Sequence, residues 1–357
     1  MSRRRAQVAL ALVALLVAFA IVEASLRTFV DALPLALAND LASGYNARRS
    51  GIYRYQADMD MFLMRPHYER EMFFNGYHWH HRTDWMGFRN PEDRRSADVV
   101  LLGDSMVYGH GLEEQSTIRH HLEALLGRNV ANLGIQGAGI HEEYQVLKRF
   151  GVALEPRFVF LFFLVNDIDD LVMLHTDDEM RRFLATAVDD HRTPYFDVVP
   201  PPDGWPRRWK SAAGDLYTVR ACRFLVHWLS PRGAQAADAD EPRWASLPLF
   251  RQRGPRHVLA MRFHLHALAK MQDLAQQGHF AFVNVFIWTG RFPEEPVYEG
   301  ILKSFCRERG IAFLDLRDAE RTVSDHERLF LPGDGHFSDA GARWVAELLA
   351  DLPRPAS

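Results

Sequence analysis

Five short apolar runs, separated by stretches with helical spacing, constrain this chain more than any other feature. "DVVLL" (Asp98 to Leu102), "VANL" (Val130 to Leu133), "FVFLFFLV" (Phe158 to Val165), "FAFVNVFIW" (Phe280 to Trp288) and "IAFLDL" (Ile311 to Leu316) read as buried strands. Between them, Ile118, Leu122, Leu125 and Leu126 share one helical face, stopped by Gly127. "IHEEYQVLKRFG" is a second helix, ended by Gly151. Val258, Met261, Leu265 and Leu268 form a third stripe, followed by Gly278. "VYEGILKSFCRERG" is a fourth helix, and Ser338 caps a last one that Pro353 stops. Strands alternating with helices require right-handed crossovers. The expected fold is therefore α/β, a doubly wound, flavodoxin-like parallel five-stranded sheet. The alternation breaks between about Leu171 and Pro255, where Pro- and Gly-rich segments predict an insertion with short helices around Tyr217 to Leu229.

The N-terminus has a separate logic. Arg3, Arg4 and Arg5 precede a run that is uncharged from Ala6 to Val22. As a helix this run is about 26 Å long, at the short end for crossing a bilayer core. The arginines predict a cytoplasmic N-terminus, with everything beyond Arg27 on the extracytoplasmic side. Two readings stay open: an uncleaved anchor, or a signal peptide cut after Ala24, with Val22 and Ala24 at the −3 and −1 positions. The expected organisation is an anchor or signal over 1–27, an extracytoplasmic segment over 28–96, and a main domain over 97–353 that contains the insertion, about 171–255.

Composition narrows the partners. An apolar fraction of 48% supplies a sizeable core, and a net charge of −4 lacks the basic field that nucleic acid binding needs. Cys222 and Cys306 form no metal spacing, and an exported chain could either bridge them or leave them free. His78, His80 and His81 in "YHWHHR" read as one-faced residues of an exposed strand rather than metal ligands, since no Asp, Glu or Cys stands at ligand spacing. No metal and no organic cofactor is expected.

In a parallel sheet, ligands gather at the carboxyl ends of the strands. The polar residues there are Asp104 and Ser105 after the first strand, Gln136 and the glycines of "GIQGAG" after the second, and Asn166 and Asp167 after the third. Asp334 and His336 follow the fifth strand through a loop. Each alone suits a turn or a cap. Together on one edge, serine, histidine and aspartate suit acyl transfer, with Gly137 and Asn166 as oxyanion donors.

These blocks resemble the SGNH hydrolase superfamily, the GDSL lipases and esterases. "GDSMVYGHG" matches the first block, "NLGIQGAG" the second, "FFLVND" resembles the third and "DGHFSDAG" the last. The resemblance covers roughly Asp98 to Leu352 apart from the insertion. It implies Ser105 as nucleophile, His336 as base and Asp334 as its orienting acid, with Ser105, Gly137 and Asn166 holding the oxyanion. Met106 and Leu164 stand where that family has leucine and glycine. Asp334 lies two residues before the histidine, where three are usual, so a backbone carbonyl could share in orienting His336. Asp339 opens the following helix instead. The resemblance implies an ester hydrolase whose partners are an ester-bearing small molecule, lipid or envelope glycan, and the membrane. A carbohydrate O-acyltransferase, or an inactive scaffold binding glycan or a membrane complex, are the alternatives.

Overall fold

The computed structural model describes residues 3–45, 50–59, 61–192, 212–228, 248–320, 323 and 325–352. Their contacts group into two units. One comprises Met1–Arg54, Glu71–Trp79 and Pro201–Gly233; the other comprises Tyr55–Arg70, His80–Pro200 and Ala234–Ser357. Two small two-stranded sheets precede the main sheet: β1 (Tyr53–Gln56) with β2 (Met61–Met64), and β3 (Glu69–Phe74) with β4 (Tyr77–Arg82).

The larger unit is built on β5 (Val99–Leu102), β6 (Val130–Asn132), β7 (Phe158–Phe163), β8 (Ala281–Phe286) and β9 (Ala312–Asp315). They form one parallel sheet in the order β6-β5-β7-β8-β9. This is the doubly wound, flavodoxin-like arrangement expected from the alternation. Each strand is a residue or more shorter than the run expected for it: β6, β7 and β8 stop before the run's C-terminal end, β5 lacks only Asp98 at its start, and β9 lacks one residue at each end. Val99 is in register with Val130 on one side and Phe158 on the other, so β5 lies between β6 and β7. All four residues of β5 are buried, as are five of the six in β7. Helices cover both faces, which is why these strands show no polar alternation. Burying each such Phe or Leu contributes about 2 kcal/mol.

Helix ends follow local chemistry, with two departures from the expected stops. Thr117 caps the Ile118–Leu126 helix by accepting from His120 N, and Gly127 closes it at φ 59°. Gly151, expected as a stop, lies inside a widened turn, and the left-handed residue is Glu155, four positions on. Gly278 is the last residue of the Pro255–Gly278 helix, and His279 takes the left-handed cap at φ 54°. The region expected to be an insertion begins in helix, with Asn166–Leu174 and Asp177–Leu184. A further helix spans Tyr217–Trp228, as expected except for Leu229, which lies outside the described residues together with 193–211 and 230–247. Cys222, exposed, and Cys306, buried, are both free thiols.

The smaller unit contains the Arg3–Thr28 helix. Among the described residues this is the one helix long and apolar enough to cross a membrane, with mean hydropathy 2.5 over its most apolar 18-residue stretch. Its C-terminal turn is tied into the fold. Glu23 accepts hydrogen bonds from Tyr217 N at 2.9 Å and from Thr218 N and Oγ at 2.8 Å each, closing the exposed N–H groups of the Tyr217–Trp228 helix. Arg27 donates to Asp215 O at 2.8 Å and lies over the Tyr217 ring at 4.5 Å.

Candidate active site

Ser105 opens a single helical turn, Ser105–Tyr108, directly behind β5. Asp104 caps this turn, accepting from Met106 N at 2.9 Å. The turn packs closely against the loop after β6. A Cβ on Gly134 would stand 2.4 Å from Tyr108 N, so only glycine permits this approach. Asn132 Nδ2 donates to Val107 O at 2.8 Å, while its Oδ1 accepts from Gly134 N at 2.8 Å. The buried guanidinium of Arg89 donates to the carbonyls of Gly109 at 2.6 Å, Tyr108 at 3.3 Å and Leu112. Four residues, Asp104, Asn132, Gly134 and Arg89, therefore hold the short turn that carries Ser105.

A narrow loop delivers Asp334 and His336. Phe330 and Phe337 pair antiparallel, Leu331 N donates to His336 O at 2.7 Å, and Asp334 N donates to Leu331 O at 3.1 Å. Gly335, at φ 103°, turns the chain between the two polar residues. One Asp334 oxygen then accepts from His336 N at 3.2 Å and also bonds the ring Nδ1 of His336. This answers the short spacing: with a left-handed glycine between them, two residues suffice. On the far side of the ring, His336 Nε2 lies 2.8 Å from Ser105 Oγ. The Asp334 side chain is fully buried and that of His336 is 19% exposed. Two other nearby acids are engaged elsewhere, Asp104 as a cap and Asp339 with His121 Nε2 at 2.9 Å.

The expected oxyanion donors stand on neighbouring elements. Gly137 is exposed in the loop after β6, at φ 71°. Asn166 starts the helix behind β7. Its Nδ2 donates to Asp170 Oδ2 at 3.1 Å and, more weakly, to Asp104 Oδ2 at 3.4 Å. That same Asp104 oxygen accepts from Ser105 Oγ at 3.2 Å. The Asn166 amide is thus one carboxylate removed from Ser105 and faces two acids.

Two neighbouring features carry no signal in residue spacing. First, His110 stacks on His336 with ring centroids 4.0 Å apart and planes 18° off parallel. Burial, helped by the proximity of His336, lowers its pKa to about 3. Second, buried carboxyls lie beneath Asp104. Glu143 and Asp167 are pushed well above the carboxylate range, Glu143 by burial and the charge of Asp104, Asp167 by burial and the charge of Glu143. Asp170 is raised to about 6 by burial and by Asp104.

Among the described residues one grouping has metal-ligand reach, His110, Asp334 and His336. It does not fit an ion. The two imidazoles lie in near-parallel planes about 4 Å apart, whereas a ring nitrogen binds metal in its own ring plane at about 2 Å. The three histidines of β4 have separate partners: His78 meets Asp31 at 3.1 Å, His80 meets Glu69 at 2.5 Å, and His81 meets Tyr108 Oη at 2.8 Å.

Fold and site together define a parallel α/β protein with a Ser–His–Asp chain at the carboxyl edge of its sheet. No known family pattern and no curated protein matches the sequence. Among solved structures, the chain is similar to a member of the lipolytic protein G-D-S-L family from Veillonella parvula, with 12% identity, 71% of this chain and 96% of that chain covered, and a TM-score of 0.38. It is also similar to a GDSL-like lipase from Bacteroides thetaiotaomicron, with 10% identity, 70% and 84% covered, and a TM-score of 0.37. A third is an acetylxylan esterase from Geobacillus stearothermophilus, with 12% identity, 74% and 98% covered, and a TM-score of 0.37. At these TM-scores the overlays decide neither fold nor activity. The fold rests on the sheet order itself.

Proposed function

We propose that this protein is a serine ester hydrolase of the SGNH type. The observation that carries the reading is the unbroken chain Ser105 Oγ–His336 Nε2–Asp334, with 2.8 Å at its first link. Asp334 holds His336 in the tautomer with its proton on Nδ1, leaving Nε2 to take the Ser105 proton. The Ser105 oxygen then attacks the ester carbonyl. The developing oxyanion is met by the N–H groups of Ser105 and Gly137 and by the side-chain amide of Asn166, which exchanges its long contact to Asp104 for the new anion. Each such donor is worth about 3 kcal/mol in the transition state. As the tetrahedral adduct collapses, His336 returns the proton to the leaving alcohol and an acyl-enzyme remains. Water, activated by the same histidine, releases the acid. The expected substrates are acylated envelope glycans or lipids.

The N-terminal helix is read as a retained anchor, with the catalytic unit on the extracytoplasmic side. Glu23 and Arg27 support retention: a cut after Ala24 would take the Glu23 carboxylate away from three donors. Intact mass of the protein recovered from membranes should include residues before Ala24, and a mature chain starting at Ser25 would contradict this.

The test of the activity is hydrolysis of short-acyl, long-acyl and acetylated-sugar esters by the full chain, with fluorophosphonate labelling alongside. Ser105→Ala should abolish both. Equal rates in the two proteins would remove Ser105 from the mechanism.

A further inference from the structure

We infer that His110 is a positioning residue that locks the oxyanion loop to the triad histidine; this rests on the ester-hydrolase reading above. Three contacts converge on it. Its backbone N–H donates to Ser105 O at 3.1 Å, so it ends the turn that carries the nucleophile. Its ring covers one face of His336 at 4.0 Å. Its two ring nitrogens face opposite ways, Nδ1 lying 3.2 Å from Gln136 Oε1 and Nε2 lying 3.8 Å from Asp334 Oδ2. Gln136 directly precedes Gly137, the proposed oxyanion donor.

Gln136 Oε1 sets the tautomer. It can only accept, so the proton of the neutral His110 ring lies on Nδ1 and is donated to it. Asp334 orients His336 through one oxygen, and its other oxygen faces Nε2 of His110 at 3.8 Å, beyond hydrogen-bond distance. The charged or titratable groups around His110 are His336, Asp334 and Arg89, and burial keeps the ring neutral among them. A neutral plate stacks on the His336 imidazolium that forms during the reaction without adding a second positive charge. Gly109 and Gly111, at φ 83° and 74°, turn the chain on either side so that the ring reaches inward.

The experiment compares wild type with His110→Phe, which keeps a plate but no ring nitrogens, and with Gln136→Ala, which cuts only the loop end at a half-buried position. Both should lower kcat on a short-acyl ester about 10²-fold with KM nearly unchanged, as small misplacements of reacting groups do. In His110→Phe, the downfield proton resonance of His336 Nδ1–H, which reports its bond to Asp334, should move upfield or broaden. A merely structural role would lower thermal stability and leave this resonance in place. Wild-type kcat in Gln136→Ala, or an unmoved resonance in folded His110→Phe, overturns the inference. The resonance is read without substrate. It therefore decides the matter even if the wild-type protein hydrolyses no ester, a result that would instead count against the proposed activity.

Discussion

Two clusters of buried titratable groups lie at the same sheet edge, and burial has opposite consequences in them. In the loop cluster, the enclosed Asp334 carboxyl has a complementary partner in His336, which in turn faces Ser105. In the acid cluster beneath Asp104, the charged neighbours of Glu143 and Asp167 are further carboxyls. Both of these side chains are essentially excluded from solvent. An enclosed carboxylate next to an imidazole remains a useful charge. Enclosed carboxyls next to each other escape the cost by keeping their protons. Glu143 and Asp167 are thus neutral well above the usual carboxylate range, which limits the negative field under Ser105. That matters where an oxyanion must form. Partnering, not depth, separates the cluster proposed to do chemistry from the one that is only tolerated.

The largest expected effects come from breaking the partnered cluster. His336→Ala should reduce kcat about 10⁴-fold or more, matching Ser105→Ala, and the double variant should be no worse than either single one. Such non-additivity would show that the two act as one unit, and additive losses would contradict it. Asp334→Asn should come next, about 10³–10⁴-fold down in kcat, because an amide that donates to Nδ1 enforces the wrong tautomer of His336. Thermal unfolding should move little in both cases. If Asp334→Asn keeps near wild-type activity, the bend at Gly335 brings the two side chains together for packing alone.

The contrast also marks what residues reveal in sequence. The strands were legible because each is an apolar run with no polar alternation, and the parallel order followed from the helices between them. Ser105, Asn166, Asp334 and His336 were legible because each directly follows a strand or sits in a short polar block. The compatibility of the Asp334–His336 spacing was not. It depends on the φ of Gly335, which a sequence states only as permission. His110 stood in plain view between two glycines, yet its role arises from stacking on a residue 226 positions away. Glu143 was hidden differently. Glu142 and Glu143 are adjacent and identical, and only the rotation of the Ile140–Val146 helix buries one of them. The Glu23 contact was masked by an apolar run in which a single acid reads as an interruption.

Removing a titrating carboxyl from the acid cluster should have a smaller effect, of opposite sign and on stability. Glu143 has its folded pKa raised above the unfolded value near 4.5. The native state therefore holds more protons than the unfolded one once the pH exceeds that value. Stability then falls as pH rises from about 4.5 toward the folded pKa, and beyond it the deficit is constant. Glu143→Gln removes this titration while keeping shape, and its amide N–H₂ can donate to Asp167. The variant should match wild type near pH 4 and exceed it by about 1–3 kcal/mol at pH 8, the scale on which buried polar groups gain or lose by finding a partner. Thermal melts of both proteins across pH 4–9 provide the check. Parallel curves would mean that Glu143 is not protonated in the native protein at neutral pH, and the acid cluster would then carry as much charge as the triad loop.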